Sequence, residues 1–426
     1  MRILLTNNTL AARAGTELYL RDTSKGLLER GHEVIAFSLE LGAVAEEMQA
    51  AGVVVIDDLL ALDAPPDVIH GQHAIETTFA AMFFMRTPVI AFCHSPEAWQ
   101  DAACRLPNVV AYVAVDAACK TRLIEDERVP ADQVHMLLNF VDLELFNKVR
   151  TPNPTPQKAL IFSNYLHPKH AVTSVLEAVC KERGIQLDFC GGAFHQQTCH
   201  PETLLPEYDV VFAKGRCAVE ALACGCSVLP VEFFGAGGMV TPDNYERMRQ
   251  ENFGRPAMPF EVTPSHIMEQ LDRYDAGDVA RVTAQVRAEV SLQNTLDQLE
   301  KLYAYARTQV IPPFEAVREA ADFLRLQLYL SRLPFRDLTK TLGVPLRLPV
   351  PPISDPLPDL WQSICSKHAH VQEVLVEKWK QKIRLKDEKI ATLRAEILHL
   401  KTRPRGLKKL LERLRGLFAS HDSSHD

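Results

Sequence analysis

Glu220 lies in a run of residues whose types suit the binding of a nucleotide. The run covers residues 219–230 (V-E-A-L-A-C-G-C-S-V-L-P), in which Glu220 opens a short helix of small residues that ends at Gly225, before an apolar strand. A carboxylate at this place can accept hydrogen bonds from the two hydroxyls of a ribose, while the amides of the helix N-terminus face a diphosphate. The run therefore predicts a nucleotide-sugar site. An ordinary amphipathic helix with Glu220 on its exposed face is the alternative that the same residues allow.

The elements that must position Glu220 alternate between strands and helices. Strand-like runs are predicted at 2–5, 32–37, 53–56, 68–70, 89–92 and 109–115 and, after a proline cluster at 152–156, at 159–162, 187–190, 210–212 and 228–230. Helical patterns are predicted at 17–30, 44–50, 77–84, 172–181, 218–224, 264–273 and 279–310. Strand–helix–strand order indicates parallel pairing with crossover helices. The predicted fold class is α/β, with two Rossmann-like domains facing a cleft and ligands bound beyond the carboxyl ends of the strands.

Length and composition predict two domains and a C-terminal helical extension. The 426 residues exceed what one core holds, and 47% hydrophobic with 24% charged residues is typical of globular chains. We predict an N-terminal, acceptor-side domain at 1–150 and a nucleotide-sugar-binding domain at 151–310. Beyond them we predict a helical, proline-rich connector at 311–366, a coiled-coil helix at 367–402, and a basic amphipathic helix with a disordered tail at 403–426.

The extension carries two patterns, and each allows two interpretations. A seven-residue repeat places apolar residues at two seam positions, interrupted by one lysine: Val376, Ile383, Ile390 and Ile397, then Trp379, Lys386, Leu393 and Leu400. This repeat predicts a parallel homodimeric coiled coil, and a single helix folded back on the body is the alternative. Residues 407–418 place leucines on one face and basic residues elsewhere, which is typical of a helix lying on an anionic membrane. Continued helix packing is the alternative there.

Charge and cysteine content indicate the compartment of the protein and the kinds of partner that it can bind. The segment 368–418 holds 14 Lys and Arg against 6 Asp and Glu, whereas the whole chain has a formal net charge of −7, so the body is acidic and does not suit nucleic acid. The 10 cysteines are scattered rather than dense, which indicates a reducing compartment. No long apolar segment and no leader are evident. We expect a cytoplasmic protein, with peripheral contact at the inner face of the membrane through the basic helix.

Several motifs, taken in order, resemble those of glycosyltransferase family 4 enzymes of the GT-B fold, over residues 1–310. They are 14–17 (A-G-T-E), 30–34 (R-G-H-E-V), 67–70 (D-V-I-H), His94 after an apolar strand, 138–146 (L-N-F-V-D-L-E-L-F), 163–169 and 220–225 (E-A-L-A-C-G). The resemblance implies an enzyme that transfers a sugar from a nucleotide-diphosphate sugar to a glycan, lipid or protein acceptor, in a setting such as bacterial surface glycan or glycoprotein assembly.

The resemblance also implies roles for individual residues. His94, Lys169 and Glu220 are the expected catalytic residues: His94 lines the sugar pocket, and Lys169 stabilises the negative charge that grows on the departing diphosphate. A purely structural histidine is the alternative for His94.

The loop after the first strand is expected to touch the donor diphosphate or the acceptor. Its residues are Gly15, Thr16 and Glu17, and Gly15 would let the backbone approach the phosphates because it has no side chain. A plain strand-to-helix turn is the alternative.

The sequence departs from the family pattern at two charged donor contacts. Phe212 stands where a first glutamate is usual, and Asn164 where an arginine is usual. The neighbouring loop is short and supplies Lys214, Gly215 and Arg216, so we expect Lys214 or Arg216 to replace the lost cation. Without the first glutamate, retention or inversion of the anomeric configuration stays open.

A second glycine-rich loop is expected to contribute backbone donors to the phosphates or the sugar. It follows the strand at 228–230 and contains Gly237, Gly238, Met239 and Val240. A flexible loop without a ligand is the alternative.

No metal and no cofactor besides the donor substrate are expected, because no Asp-x-Asp pair follows a strand. A sugar-nucleotide epimerase on the same fold and a catalytically inactive, transferase-like scaffold are the alternatives to the transferase.

Overall fold

The computed structural model describes residues 1–198 and 200–311, and these residues form two α/β domains. The N-terminal domain is built on a seven-stranded parallel sheet with the strand order β3-β2-β1-β4-β5-β6-β7. Its strands are β1 Arg2–Thr6, β2 Glu33–Phe37, β3 Val54–Ile56, β4 Val68–Gln72, β5 Val89–Cys93, β6 Val109–Ala114 and β7 Val134–Met136.

The central strands are continuous apolar runs because helices cover both faces of the sheet. In β1, Ile3, Leu4 and Leu5 are completely buried, and Leu4 pairs in register with Ile35 on one side and Ile69 on the other. Burial on both faces is what a parallel sheet with crossover helices requires. The strands therefore all point their carboxyl ends to the same edge.

The C-terminal domain repeats this plan with a five-stranded sheet of order β12-β11-β10-β8-β9. Its strands are β8 Lys158–Phe162, β9 Gln186–Cys190, β10 Val210–Ala213, β11 Ser227–Glu232 and the short β12 Gly235–Ala236, which alone pairs antiparallel. Residues between β7 and β8, including the predicted proline cluster, join the two domains. The predicted α/β class with two Rossmann-like domains is confirmed.

Helices connect the strands in both domains. The α-helices are α1 Gly15–Glu29, α2 Ala43–Ala50, α3 Ala74–Phe83, α4 Ala117–Thr121, α5 Ala171–Glu182, α6 Pro201–Leu204, α7 Gly215–Ala223, α8 Pro242–Gln250, α9 Pro264–Asp272, α10 Ala276–Glu289 and α11 Leu292–Thr308. Single turns occur at Leu59–Ala61, Trp99–Asp101, Arg122–Asp126, Ala131–Gln133, Gly192–Phe194, Leu205–Glu207 and Arg255–Ala257.

The last helix departs from the prediction in two ways. The expected helix at 279–310 is two helices, because Ser291 interrupts it and caps α11 by accepting a hydrogen bond from the Gln293 amide. In addition, α11 packs on α1 of the N-terminal domain, where a methyl group on Gly26 would lie 2.5 Å from Leu296. The described C-terminal domain therefore ends with α10 rather than at residue 310, and α11 completes the N-terminal core.

Several predictions concern residues that the structure does not describe. The connector from residue 312, the coiled coil, the basic helix and Cys199 lie outside the described residues. No helix in the described part of the chain combines the length and apolar character that crossing a bilayer requires. The described cysteines are all free thiols.

Candidate functional site

A cavity of about 340 Å³ lies between the two domains, at the carboxyl ends of the N-terminal strands. The N-terminal domain and the linker contribute most of the wall, and the C-terminal domain contributes Tyr165 and Arg216. The wall consists of Asn8, Ala14, Gly15, Thr16, Glu17, His73, His94, Ser95, Ala98, Gln100, Asp101, Val115, Asn139, Tyr165 and Arg216. Of the predicted site residues, the structure thus brings Gly15, Thr16, Glu17, His94 and Arg216 to one cavity.

The N-terminus of α1 opens onto the cavity without a side-chain cap. The capping position is Ala14, whose side chain offers no acceptor to the first amides of the helix. A Cβ atom on Gly15 would meet no atom within 4 Å. Uncapped amides at the positive end of a helix favour an anion. Glu17 is 4% exposed, and burial raises the pKa of its carboxyl despite a hydrogen bond from the Thr16 hydroxyl.

The N-terminus of α7 is also uncapped, and it begins earlier than predicted. β10 ends at Ala213 and α7 starts at Gly215, so Lys214 alone connects them, and its side chain does not cap the helix. The loop between β10 and α7 is therefore a single residue long. Glu220 lies in the second turn of α7, so the prediction that it opens the helix is wrong. Gly215 has a positive φ of 56°, which is the left-handed conformation that glycine tolerates.

Glu220 takes part in a buried ion-pair cluster that joins the two domains. Arg216 Nε donates to Glu220 Oε1 over 2.7 Å, and Arg216 Nη2 donates to Asp22 Oδ2 of α1. The side chains of these residues are only 5–11% exposed. Burial raises the pKa of Glu220 in spite of Arg216, whereas for Asp22 the pairs with Arg216 and Arg21 outweigh burial and lower the pKa. Glu220 Oε2 has no hydrogen-bond partner among the described residues.

His94 is a neutral hydrogen-bonding group in the cavity wall. Burial lowers its pKa to about 3, with a further contribution from His73, so the ring carries no charge at neutral pH. Its ring lies parallel to Phe92 and edge-on to Tyr19, at a centroid distance of 5.0 Å from the tyrosine. Its Nε2 is buried and has no partner within the described part of the chain. A ligand hydroxyl is one group that could satisfy this atom.

Lys214 lies behind the cavity wall rather than in it. Its Nζ is 4.5 Å from the centre of the Tyr165 ring and 4.0 Å from Glu232 Oε2, at the end of β11. Burial lowers the pKa of Lys214, while Glu232 opposes that shift. Glu232 is completely buried and also accepts a hydrogen bond from Ser163 Oγ over 3.0 Å. Because Tyr165 lines the cavity, Lys214 is separated from it by one aromatic ring.

Two further predicted residues, Lys169 and Asn164, do not line the cavity. Lys169 is exposed in the loop before α5, outside the cavity wall. Asn164 uses its Oδ1 to accept from the Gly192 amide over 2.9 Å, and its Nδ2 donates to the Arg13 carbonyl of the N-terminal domain. Asn164 thus links loops of both domains.

Most backbone donors of the second glycine-rich loop are occupied within the protein. The amides of Gly237, Met239 and Val240 donate to Pro230, Gln270 and Val228 respectively. The amide of Gly238 is left without a hydrogen bond among the residues described. Of the four amides expected to donate to a phosphate or sugar, only that of Gly238 remains free among the described residues.

Several residues of the site were not predicted, among them the titratable residues Asp22, Asp101 and His73. Asp22 comes from a helix interior, Asp101 from a loop, and His73 directly follows β4. Asp101 follows β5 by eight residues, in the loop that begins with His94, so its place after a buried strand was a usable signal. Asp22 carries no local signal, because its partner Arg216 is distant in sequence. Within residues 1–198 and 200–311, no group of three His, Cys, Asp or Glu is arranged to hold a metal ion.

Comparison with known families gives one match, over the N-terminal domain. Residues 13–145 match the family described as Glycosyltransferase Family 4. The matched stretch runs from the residue before Ala14 to the linker and includes the cavity-lining loops of this domain. The resemblance to family 4 is confirmed for this domain. Among curated protein sequences, none is significantly similar to the chain.

Solved structures with similar folds cover both domains. The HepE protein of Anabaena in complex with UDP-glucose has a TM-score of 0.53 at 15% identity, covering 71% of this chain and 99% of its own. Its complex with UDP and glucose has a TM-score of 0.52 at 16% identity over the same shares. A glycosyltransferase from Rickettsia africae ESF-5 has a TM-score of 0.52 at 13% identity, covering 72% of this chain and 99% of its own. These similarities confirm the GT-B fold.

Proposed function

We propose, from a family 4 N-terminal domain on a GT-B fold, that the chain transfers a sugar from a nucleotide-diphosphate sugar to an acceptor. The single observation that carries the proposal is the cavity between the domains, which meets the uncapped N-terminus of α1 on one wall and Arg216, from the first turn of α7, on the other. Uncapped amides of α1 on one wall and a guanidinium group on the other favour an anionic ligand that contacts both walls. A diphosphate meets this requirement.

The electrostatics of the cavity suit the breaking of a bond to a phosphate. As the bond between the anomeric carbon and the diphosphate breaks, negative charge grows on the leaving oxygens and positive charge on the sugar. In our proposal the amides of α1 and α7 stabilise the departing charge, and Arg216 contributes through its cavity-facing edge. Neutral His94 donates or accepts at a sugar hydroxyl without adding charge beside the oxocarbenium-like sugar.

Glu220, which pairs with the wall residue Arg216 but does not itself line the cavity, is proposed to hold the ribose. Its Oε1 is bound to Arg216 Nε, so Oε2 is the oxygen that a ribose hydroxyl would approach. Lys169, exposed before α5, is proposed to meet the outer side of the diphosphate, and Lys214 to add positive potential from behind Tyr165. The acceptor is proposed to enter from the N-terminal wall. UDP-glucose, which HepE binds, is the first donor to test.

The test is a thermal-shift panel of UDP-, GDP-, ADP- and dTDP-linked sugars on the full chain, followed by isothermal titration of the best one. A donor present at 100 times its dissociation constant should add about 2.7 kcal/mol to the free energy of unfolding. Glu220→Gln should weaken donor binding, because a neutral amide is a poorer acceptor for the diol. Glu289→Gln is the matched control, since Glu289 accepts from Tyr245 in the same domain and, unlike Glu220, is not paired with the wall residue Arg216.

Turnover then separates the transferase from the two alternatives. With a radiolabelled donor, a transferase moves the sugar to water or an added alcohol and releases the nucleoside diphosphate. An epimerase would return only an isomerised nucleotide sugar. An inactive scaffold would bind without turnover, and failure of every nucleotide sugar to shift the melting temperature would refute the proposed donor class.

A further inference from the structure

Two consecutive residues of the loop after α8, Asn252 and Phe253, adopt the left-handed backbone conformation. Their φ angles are 49° and 51°. Asparagine tolerates this region better than most residues, but for a bulky side chain such as phenylalanine it is a strained conformation. Strain of this kind persists only where the surrounding structure enforces it. The contacts of this loop should therefore show what holds it.

The side chain of Asn252 bonds to the N-terminal domain and to the linker. It is 3% exposed. Its Nδ2 donates to the carbonyl oxygen of Val115, the residue after β6, and its Oδ1 accepts from the backbone amide of Asn139 in the linker over 3.1 Å. Val115 and Asn139 both line the cavity. Asn252 of the C-terminal domain thus contacts the cavity wall from behind.

Arg249 fixes the orientation of the Asn252 amide. Its Nη1 donates to Asn252 Oδ1 over 2.8 Å, and its Nη2 donates to the carbonyl oxygen of Asn139 over 2.6 Å. Because Asn252 Oδ1 accepts two hydrogen bonds and Nδ2 donates one, a reversed amide would place donors against donors. The side chain therefore has one orientation, and in that orientation it joins the C-terminal domain to Val115.

Phe253 connects the same loop to the other side of the cavity. Its side chain is completely buried in the core of the C-terminal domain, with its ring 6.2 Å from that of Tyr245. Its carbonyl oxygen accepts from the amide of Gly215, the first residue of α7, over 3.3 Å. The next residue of that helix is Arg216, which lines the cavity. The loop therefore contacts elements on both sides of the cavity.

We propose that Asn252 and Phe253 form an interdomain tether, which keeps the two domains in contact around the cavity and positions the first turn of α7. The proposal concerns the chain without a ligand, so it does not depend on which molecule the cavity binds. If the bond to Val115 breaks, the strained backbone can relax. Strain thus favours separation of the domains whereas the hydrogen bonds favour contact, and the closed arrangement is held reversibly.

Burial distinguishes the tether from another contact between the domains. Arg255 Nη1 lies 3.1 Å from Glu97 Oε2 of the N-terminal domain, but these side chains are 55% and 63% exposed. Exposed ion pairs contribute little to stability because water and salt screen them. Water competes far less for the hydrogen bonds of the buried Asn252 side chain. Removing the tether should consequently change the arrangement of the domains.

The test compares Asn252→Gly with the wild type by hydrogen–deuterium exchange on the full chain without ligand. Glycine adopts the left-handed conformation without strain but has no side chain to bond with. The Asn139 amide loses its acceptor, so it should exchange roughly 5- to 10-fold faster, the effect of one neutral hydrogen bond. The Gly215 amide should also exchange faster. Small-angle X-ray scattering should show a larger radius of gyration.

A control and a second variant make the test specific. His195→Gly is the control, because His195 also has a positive φ, of 55°, but is exposed and lies outside the cavity wall. It should change neither measurement. Asn252→Asp keeps an acceptor for Asn139 and Arg249 and replaces the donor to Val115 by an oxygen. Asn139 should then keep its protection from exchange while the radius of gyration increases. This variant tests the tether even if Asn252→Gly does not fold.

Four results would overturn the proposal. They are unchanged exchange at Asn139 and Gly215 in Asn252→Gly, an unchanged radius of gyration in Asn252→Asp, the same changes in His195→Gly, and faster exchange spread evenly over the strands of the C-terminal domain. The last result would indicate that the loop serves the folding of its own domain. A wild-type chain that binds no nucleotide sugar would refute the proposed function and leave these measurements unaffected.

Discussion

Replacing Gly15 by alanine should strengthen folding and weaken donor binding. Gly15 is the first residue of α1, does not adopt a positive φ, and would place its new Cβ where no atom lies within 4 Å. The native backbone therefore accepts alanine without strain. Because alanine has fewer conformations than glycine in the unfolded chain, the free energy of unfolding should rise by about 0.4–1 kcal/mol.

The effect on binding has the opposite sign. Gly15 lines the cavity, so the added methyl group occupies the space from which a phosphate oxygen would approach the first amides of α1. A hydrogen bond to a charged group contributes about 1.5–3 kcal/mol. If the methyl group prevents one such bond, the dissociation constant of the donor should rise by roughly 10- to 150-fold, since 1.4 kcal/mol corresponds to a factor of ten.

Two measurements and one control variant separate these effects. Urea unfolding gives the change in stability, and isothermal titration with the donor identified by the thermal-shift panel gives the change in affinity. Gly277→Ala is the control, because Gly277 also lies in the first turn of a helix, without a positive φ and away from the cavity. It should leave donor affinity unchanged. Unchanged affinity in Gly15→Ala would refute the placement of the diphosphate at α1.

Two further predictions concern buried charges. Arg216→Met should lower the free energy of unfolding by roughly 3–5 kcal/mol in urea titrations, because it removes the cation hydrogen-bonded to the buried Glu220 carboxylate and leaves Asp22 with Arg21 alone. Adding Asp22→Asn to that variant should restore part of the loss, and an additive double variant would contradict the coupling. Burial raises the pKa of Glu76 from 4.5 in its ordinary state to about 7. Its contribution to stability is thus fully present below pH 4.5 and is lost as the pH rises through about 7. Glu76→Gln should therefore be more stable than wild type at pH 8, by on the order of 3 kcal/mol, and similar to it near pH 5; equal stability at both values would contradict the assigned pKa.

The fold was predictable where the pattern of apolar residues leaves one choice. The runs at 2–5 and 89–92 are too short for helices and apolar on both faces, so they predict buried parallel strands. The position of α11 was not predictable in this way. The apolar face of α11 could pack on either domain. Its place on the N-terminal domain depends on Gly26 of α1, whose lack of a side chain lets Leu296 approach closely. Such complementarity between distant segments has no signature in either segment alone.

The site was predictable to the extent that its residues lie in motifs. Gly15, Glu17 and His94 were identified from short runs, and the structure places all three in the cavity wall. The pair of Arg216 with Glu220 was not predicted, because the helix was expected to begin at residue 218, whereas α7 begins at Gly215 and so holds both residues, four positions apart. Asp22 could not be found, because it meets Arg216 only once the two domains are packed.

The cation beside the cavity is already balanced, and this constrains how an anion can be bound. Arg216 belongs to a chain of alternating charges that crosses from the N-terminal domain to α7: Arg13, Glu47, Arg21, Asp22, Arg216 and Glu220. Its three arginines and three carboxylates cancel, so the chain as a whole attracts a diphosphate weakly. The uncapped backbone amides at the start of α1, which line the cavity, then supply favourable potential that the balanced chain does not. It also follows that a phosphate bound to Arg216 competes with Asp22 for the same guanidinium group. If the proposed donor binds at Arg216, its binding and the contact between the domains are coupled through that one side chain.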